Sequence, residues 1–179
     1  MKALLIRVGV CLMCVVAATA LGQDKRTDST EQQIEKKYDR FKDQTTVKLK
    51  PQIIRQVAQP REELSLAFEA TYKGESPARP KEVVWIFDSV SERYLYHNEA
   101  EVVFIVDGKR IEAGTAYMAT TLPSPNLVKV TLKLSTSFGK LAEVAAGKNV
   151  ELKFGKTEIS LAGKSMTALR SYAGSLAGP

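Results

Sequence analysis

Two short, unbroken apolar runs stand at the middle of this chain: Val83-Val84-Trp85-Ile86-Phe87 and Val102-Val103-Phe104-Ile105-Val106. Each is rich in β-branched and aromatic residues and is bounded by polar ones. That length and composition predict strands covered on both faces rather than helices. Between them, Arg93-Tyr94-Leu95-Tyr96-His97 alternates and predicts a third, half-exposed strand with Tyr94 and Tyr96 on one face. Asp107-Gly108 is a hairpin signal.

Alternation continues on both sides. Residues 46–50 predict a strand stopped by Pro51, and residues 52–58 a second short one ended at Pro60. From Leu64 to Tyr72, residues 64, 66, 68, 70 and 72 are apolar or aromatic, so one face of a long strand meets a core. Residues 74–80 form a loop marked by Gly74, Pro77 and Pro80. Gly114 breaks the chain before a strand over 115–122, and Pro123-Ser124-Pro125-Asn126 is a turn. The loops 74–80 and 123–126 are candidates for one shared end of the domain. Over 127–135, Val128, Val130, Leu132 and Leu134 face inward. Lys129 and Lys133 face solvent, where lysine discourages pairing with another chain.

The period then changes. Ser137 caps a short helix carrying Phe138, Leu141, Val144 and Ala145, with Gly147 at its end. Residues 150–154 and 157–161 flank Gly155-Lys156, a two-residue hairpin of type II′. A last helix over 165–176 places Met166, Leu169, Tyr172, Ala173 and Leu176 on one side. About nine mostly antiparallel strands with two short C-terminal helices predict a mainly β fold: an antiparallel β-sandwich, immunoglobulin-like or similar, or alternatively an open β-barrel. The immunoglobulin likeness rests on strand count and implies no function.

The first 22 residues read as a cleavable signal peptide: Lys2 and Arg7, an apolar stretch over 8–18, and Ala20 and Gly22 before Gln23. The expected location is therefore outside the cytoplasm, periplasmic or extracellular, in a bacterium, with no stable membrane span once the leader is cleaved. Residues 23–44 read as a polar arm, flexible or partly helical, with Ile34, Tyr38 and Phe41 at helical spacing. Residues 45–179 are expected to form one β-rich domain. Both cysteines, Cys11 and Cys14, fall in the leader, so the exported chain uses no disulfide. Lys and Arg number 26 against 20 acids; removing Lys2 and Arg7 leaves 24 against 20, or +4. This excess is spread along the chain without interleaved aromatics, which is not the pattern of a nucleic-acid binder.

Several motifs only resemble chemistry. His97 is the single histidine, too few for the usual metal site on a β scaffold. A triad with Ser89 or Ser91 and Asp88 does not assemble from one strand. Ser137-Phe138-Gly139-Lys140 matches SxxK without its companion motifs. Gly163-Lys164-Ser165 and Gly155-Lys156-Thr157 lack the earlier glycine of a phosphate loop. No catalytic residue, cofactor or metal ligand is assigned. The acids Asp88, Glu92, Glu99, Glu101 and Asp107 leave a carboxylate-based hydrolase as a minor reading. The sharper candidate is an aromatic platform of Trp85, Tyr94, Tyr96 and Tyr117 for a protein or glycan partner. The expectation is thus a non-enzymatic binding or interaction domain, with a carrier of small apolar ligands as the alternative.

Overall fold

The computed structural model describes residues 33–177. Residues 1–32, which hold the expected leader, both cysteines and the first part of the polar arm, lie outside the described residues. The elements are β1 (Ile34–Asp39), β2 (Gln44–Val57), β3 (Glu62–Lys73), β4 (Glu82–Ser91), β5 (Glu99–Val106), β6 (Lys109–Pro123), β7 (Val128–Ser137), α1 (Phe138–Ala146), β8 (Val150–Phe154), β9 (Thr157–Leu161) and α2 (Gly163–Leu176). The fold is mainly β and antiparallel throughout, with two C-terminal helices. All nine strands share one sheet, ordered β1-β2-β3-β4-β7-β6-β5-β8-β9 and curled into a half-barrel. Of the two architectures expected, the open barrel describes this single sheet more closely than two stacked sheets do.

Strand order explains where local patterning misleads. β4 pairs with β3 and β7, whereas β5 pairs with β6 and β8. The chain must therefore cross the ends of β7 and β6 between β4 and β5. Residues 92–98 make that crossing as a loop, not as the strand their alternation predicts. Pro51 does not end a strand either. Leu49 pairs with Phe68 and Gln52 with Leu66, so Lys50 and Pro51 together oppose Ala67 in a bulge. β1 pairs only as far as Leu49, so the missing Pro51 N–H interrupts no ladder on that side.

Gly114 likewise sits inside β6. Val102 opposes Gly114 and Val103 opposes Glu112, leaving Ala113 as the extra residue of a bulge. Gly114 has φ +132°, and a Cβ there would stand 3.2 Å from Leu134 Cδ1. At the other end of the chain, the helical spacing of Ile34 and Tyr38 is overridden. The free edge of β2 recruits residues 34–39 as β1, with Ile34 packed against the core.

Other local readings hold. Asp107 (φ 49°) and Gly108 (φ 85°) both take the left-handed conformation that a type I′ hairpin turn requires. Ser137 Oγ caps α1 by accepting from Lys140 N. The β8–β9 hairpin closes through Gly155, with φ 58° in the first turn position.

The core fills the concave side. Trp85 is fully buried, with Phe68 at 4.8 Å and Phe104 at 5.1 Å between ring centroids. Its Nε1–H donates to Thr136 Oγ1 at 2.9 Å. Phe87 stacks on Phe154 at 4.2 Å. α2 docks Met166, Leu169, Tyr172 and Leu176 on this core, and Arg170 ties it to α1 by donating to the carbonyls of Ala145 and Gly147. β9 returns beside β2, where Leu161, Leu49, Ile54 and Leu169 leave a pocket of only about 10 Å³. That is room for about one water molecule.

Tyr172 links α2 to the sheet, donating its hydroxyl hydrogen to Val47 O at 3.0 Å. Burial pushes its ionisation well above the ordinary value of 10.0. The folded state therefore keeps a proton that the unfolded chain releases above about pH 10, and stability falls as pH rises beyond that point. Tyr172→Phe is expected to cost about 1 kcal/mol near neutral pH and to flatten the alkaline loss of stability. Urea unfolding at pH 7 and above pH 10 checks both; an unchanged alkaline slope in the variant would contradict this role.

Candidate functional site

The antiparallel order places the 74–81 loop and the β6–β7 turn at opposite ends of the half-barrel, not at one shared end. The end carrying the β6–β7 turn also carries the β2–β3 and β8–β9 turns and the crossing loop 92–98. This rim is held from several sides. Arg61 and Glu92 exchange bonds, Glu92 N to Arg61 O at 3.1 Å and Arg61 N to Glu92 Oε1 at 3.2 Å. Ser91 Oγ donates to Arg93 O at 2.6 Å. Met118 N donates to Asn98 O at 2.8 Å, fastening the end of the loop to β6.

Tyr96 pins the middle of the loop. Its ring packs 4.8 Å from Phe154, and its hydroxyl lies 2.9 Å from Thr157 Oγ1. Burial pushes the Tyr96 hydroxyl above its ordinary range. Its neighbours face outward. Tyr94 donates its hydroxyl hydrogen to Met118 Sδ at 3.1 Å, and Thr121 Oγ1 donates to the same sulfur at 2.9 Å. His97 stands edge-on to the Tyr94 ring at 4.5 Å. Among the described residues, eight large apolar side chains are exposed, and five of them (Tyr94, Leu95, Tyr117, Met118 and Leu122) belong to this rim.

The four rings of the expected platform are therefore not brought together. Trp85 is in the core because β4 is a central strand, and Tyr96 is buried as the anchor of the loop. Tyr94 and Tyr96 do not share a face, since no strand exists there to align them. Tyr94 remains at the surface, 37% exposed, and Tyr117 stands 61% exposed on the convex side opposite Lys133. Leu95, Met118 and Leu122 complete the rim and were not singled out by sequence reasoning. Leu122, an apolar residue directly before the turn prolines, is the one that alternation could have marked.

The remaining motifs are absorbed by structure. Lys140 Nζ donates to Glu112 O at 2.6 Å and Ala113 O at 3.3 Å, so the SxxK lysine caps the β6 bulge instead of serving Ser137. Asp88 accepts from Thr131 and pairs with Lys129 at 3.3 Å. Ser89 and Ser91 are buried on the other face of β4, away from Asp88. Asp107 accepts from the backbone N–H groups of Asn149 and Lys148, which hold its carboxyl below the ordinary range. A general acid needs the opposite shift. The GKS stretch begins α2, where Ser165 Oγ donates to Ala162 O at 2.9 Å. Among the described residues no three His, Cys, Asp or Glu side chains gather as a metal site, and no helix is long and apolar enough to cross a membrane. No protein-family model, curated protein or solved structure matches this chain.

Proposed function

We propose that this chain is a non-enzymatic interaction domain of an exported bacterial protein, and that it docks a partner protein on the rim formed by loop 92–98 and the β6–β7 hairpin. One observation carries this reading: among the described residues, five of the eight exposed large apolar side chains lie at that end, Tyr94 and Leu95 on the loop pinned by Tyr96, Met118 beside Tyr94, and Tyr117 and Leu122 on the convex face of β6. Clustered apolar exposure on a soluble surface marks interaction sites. A loop already held in place loses little freedom on binding. The mixture of Leu95, Met118 and Leu122 with two tyrosines suits apolar side chains of a protein better than a sugar, which stacks on open aromatic faces. The carrier alternative draws less support, because side chains fill the concave side of the sheet.

The test is co-purification with the tagged full chain from its host. Tyr117→Ser combined with Leu122→Ser is expected to weaken retention of the partner at least about tenfold, near 1.4 kcal/mol. Thermal stability should stay close to the parent because both side chains are exposed. Ile53→Ser, at a comparably exposed site away from the rim, should retain the partner. Equal retention by the rim variant and the parent would overturn the proposal.

A further inference from the structure

We propose that two copies of this chain pair face to face across the convex side of β5, with a two-fold axis running along that strand. Val103 and Ile105 project outward from β5 and floor a groove of about 400 Å³, flanked by Arg110, Glu151, Lys153 and Glu158. Ile105 is 42% exposed at its centre. The neighbours of this apolar pair carry charge in a set order. Ile105 is opposed by Arg110 on β6 and by Glu151 on β8. Val103 is opposed by Glu112 on β6 and by Lys153 on β8. Across the sheet, one row thus reads positive, apolar, negative, and the next reads negative, apolar, positive.

That order is self-complementary. Rotation by half a turn about β5 brings β6 of one copy over β8 of the other. Arg110 then faces Glu151, Glu112 faces Lys153, and Ile105 meets Ile105; Glu101, on the same face nearer the start of β5, meets Glu101, and Arg110 of its own chain at 3.8 Å offsets that repulsion. Sheets packed face to face keep their strands within about 30° of each other, so this register is attainable. An isologous contact of this kind is the usual form of a soluble dimer. Among the described residues of one chain Arg110 pairs only with Glu101, at 3.8 Å, and with Glu112, all more than half exposed. Such exposed pairs are weak and exchange readily. Among the described residues, Glu151 and Lys153 have no ion-pair partner in their own chain.

Sedimentation equilibrium of the full protein provides the test. The parent is expected to dimerise, and more weakly as salt is raised. Arg110→Glu alone sets two glutamates against each other at both ends of the interface, and Glu151→Arg alone sets two arginines. Each variant is expected to dimerise at least about tenfold more weakly than the parent. Mixed in equal amounts, the two variants restore both charge pairs, so a heterodimer of near-parental affinity is expected. This recovery also shows that both variants are folded. A parent that stays monomeric at the highest soluble concentration, or a mixture that fails to recover, would overturn the proposal. The partner-docking rim plays no part in this measurement, so its outcome is independent of that reading.

Discussion

Trp85→Ala is expected to leave the domain largely unfolded at ordinary temperature. Trp85 is fully buried between Phe68 and Phe104 on a central strand, and its removal opens a hole that those rings can only partly close. Large aromatic-to-alanine changes of this kind cost about 3–5 kcal/mol. The substitution also removes the Nε1–H bond to Thr136, whose hydroxyl is left with a weak 3.4 Å contact to Ser137 O. An under-satisfied buried group adds about 1–3 kcal/mol. Together these approach the whole stability of a typical domain, about 5–15 kcal/mol. Trp85 is the only tryptophan, so its fluorescence disappears with it and circular dichroism must follow the urea transition. A loss below about 1 kcal/mol would be incompatible with the buried, hydrogen-bonded position described above.

Gly147→Ala is expected to show the second-largest loss, for a different reason. Gly147 ends α1 with φ −63° and ψ 145°, a conformation open to any residue, so backbone strain is not involved. The obstacle is space. A Cβ at this position would lie 2.4 Å from Val106 Cγ1 and 2.9 Å from Val150 Cγ2. Both side chains belong to the core, and neither can swing away as a long surface chain would. The backbone must shift, which pulls the Gly147 carbonyl from Arg170 Nη2, 2.7 Å away, and loosens the tie between the helices. Overpacking of this kind costs about 1–3 kcal/mol. For a chain of this size it lowers the melting temperature by about 2–4 °C per kcal/mol. Adding Val106→Ala creates room, so the double variant should be more stable than the sum of the two single losses predicts. Strict additivity in a thermal melt would contradict the steric cause.

These two positions also mark what the sequence could and could not disclose. Elements whose partners are local were legible: β7 by alternation, α1 by the Ser137 cap, the β8–β9 hairpin by Gly155, and α2 by its apolar stripe. Elements defined by distant partners were not. Nothing near residues 92–98 indicates that β4 and β5 are separated by two strands, so an alternating stretch became a loop. Pro51 and Gly114 looked like stops because the bulges that accommodate them depend on Ala67 and Val103 of neighbouring strands. Residues 34–39 carried helical spacing, but the open edge of β2 decided their conformation.

The site was legible only in part, for the same reason. Alternation shows which residues differ in facing; strand order decides which of them are inside. Tyr94 and Tyr117 proved to be at the surface, Trp85 and Tyr96 beneath it. Met118 joins Tyr94 only because the crossing loop lies against β6, and Leu122 joins Tyr117 on the convex face only through the bulge between Met118 and Thr120. The run of five apolar residues on β5 predicts cover on both faces, yet Ile105 is 42% exposed. Its alternating charged neighbours come from two other strands and became visible only through the register.

The most direct measurement of the central claim is site-specific photo-crosslinking in the host, with a photoreactive phenylalanine analogue at Tyr117 on the rim or at Lys48 on β2. Docking on the rim predicts one partner protein joined from position 117 and none from position 48. Joining from both positions alike, or from position 48 alone, would contradict it.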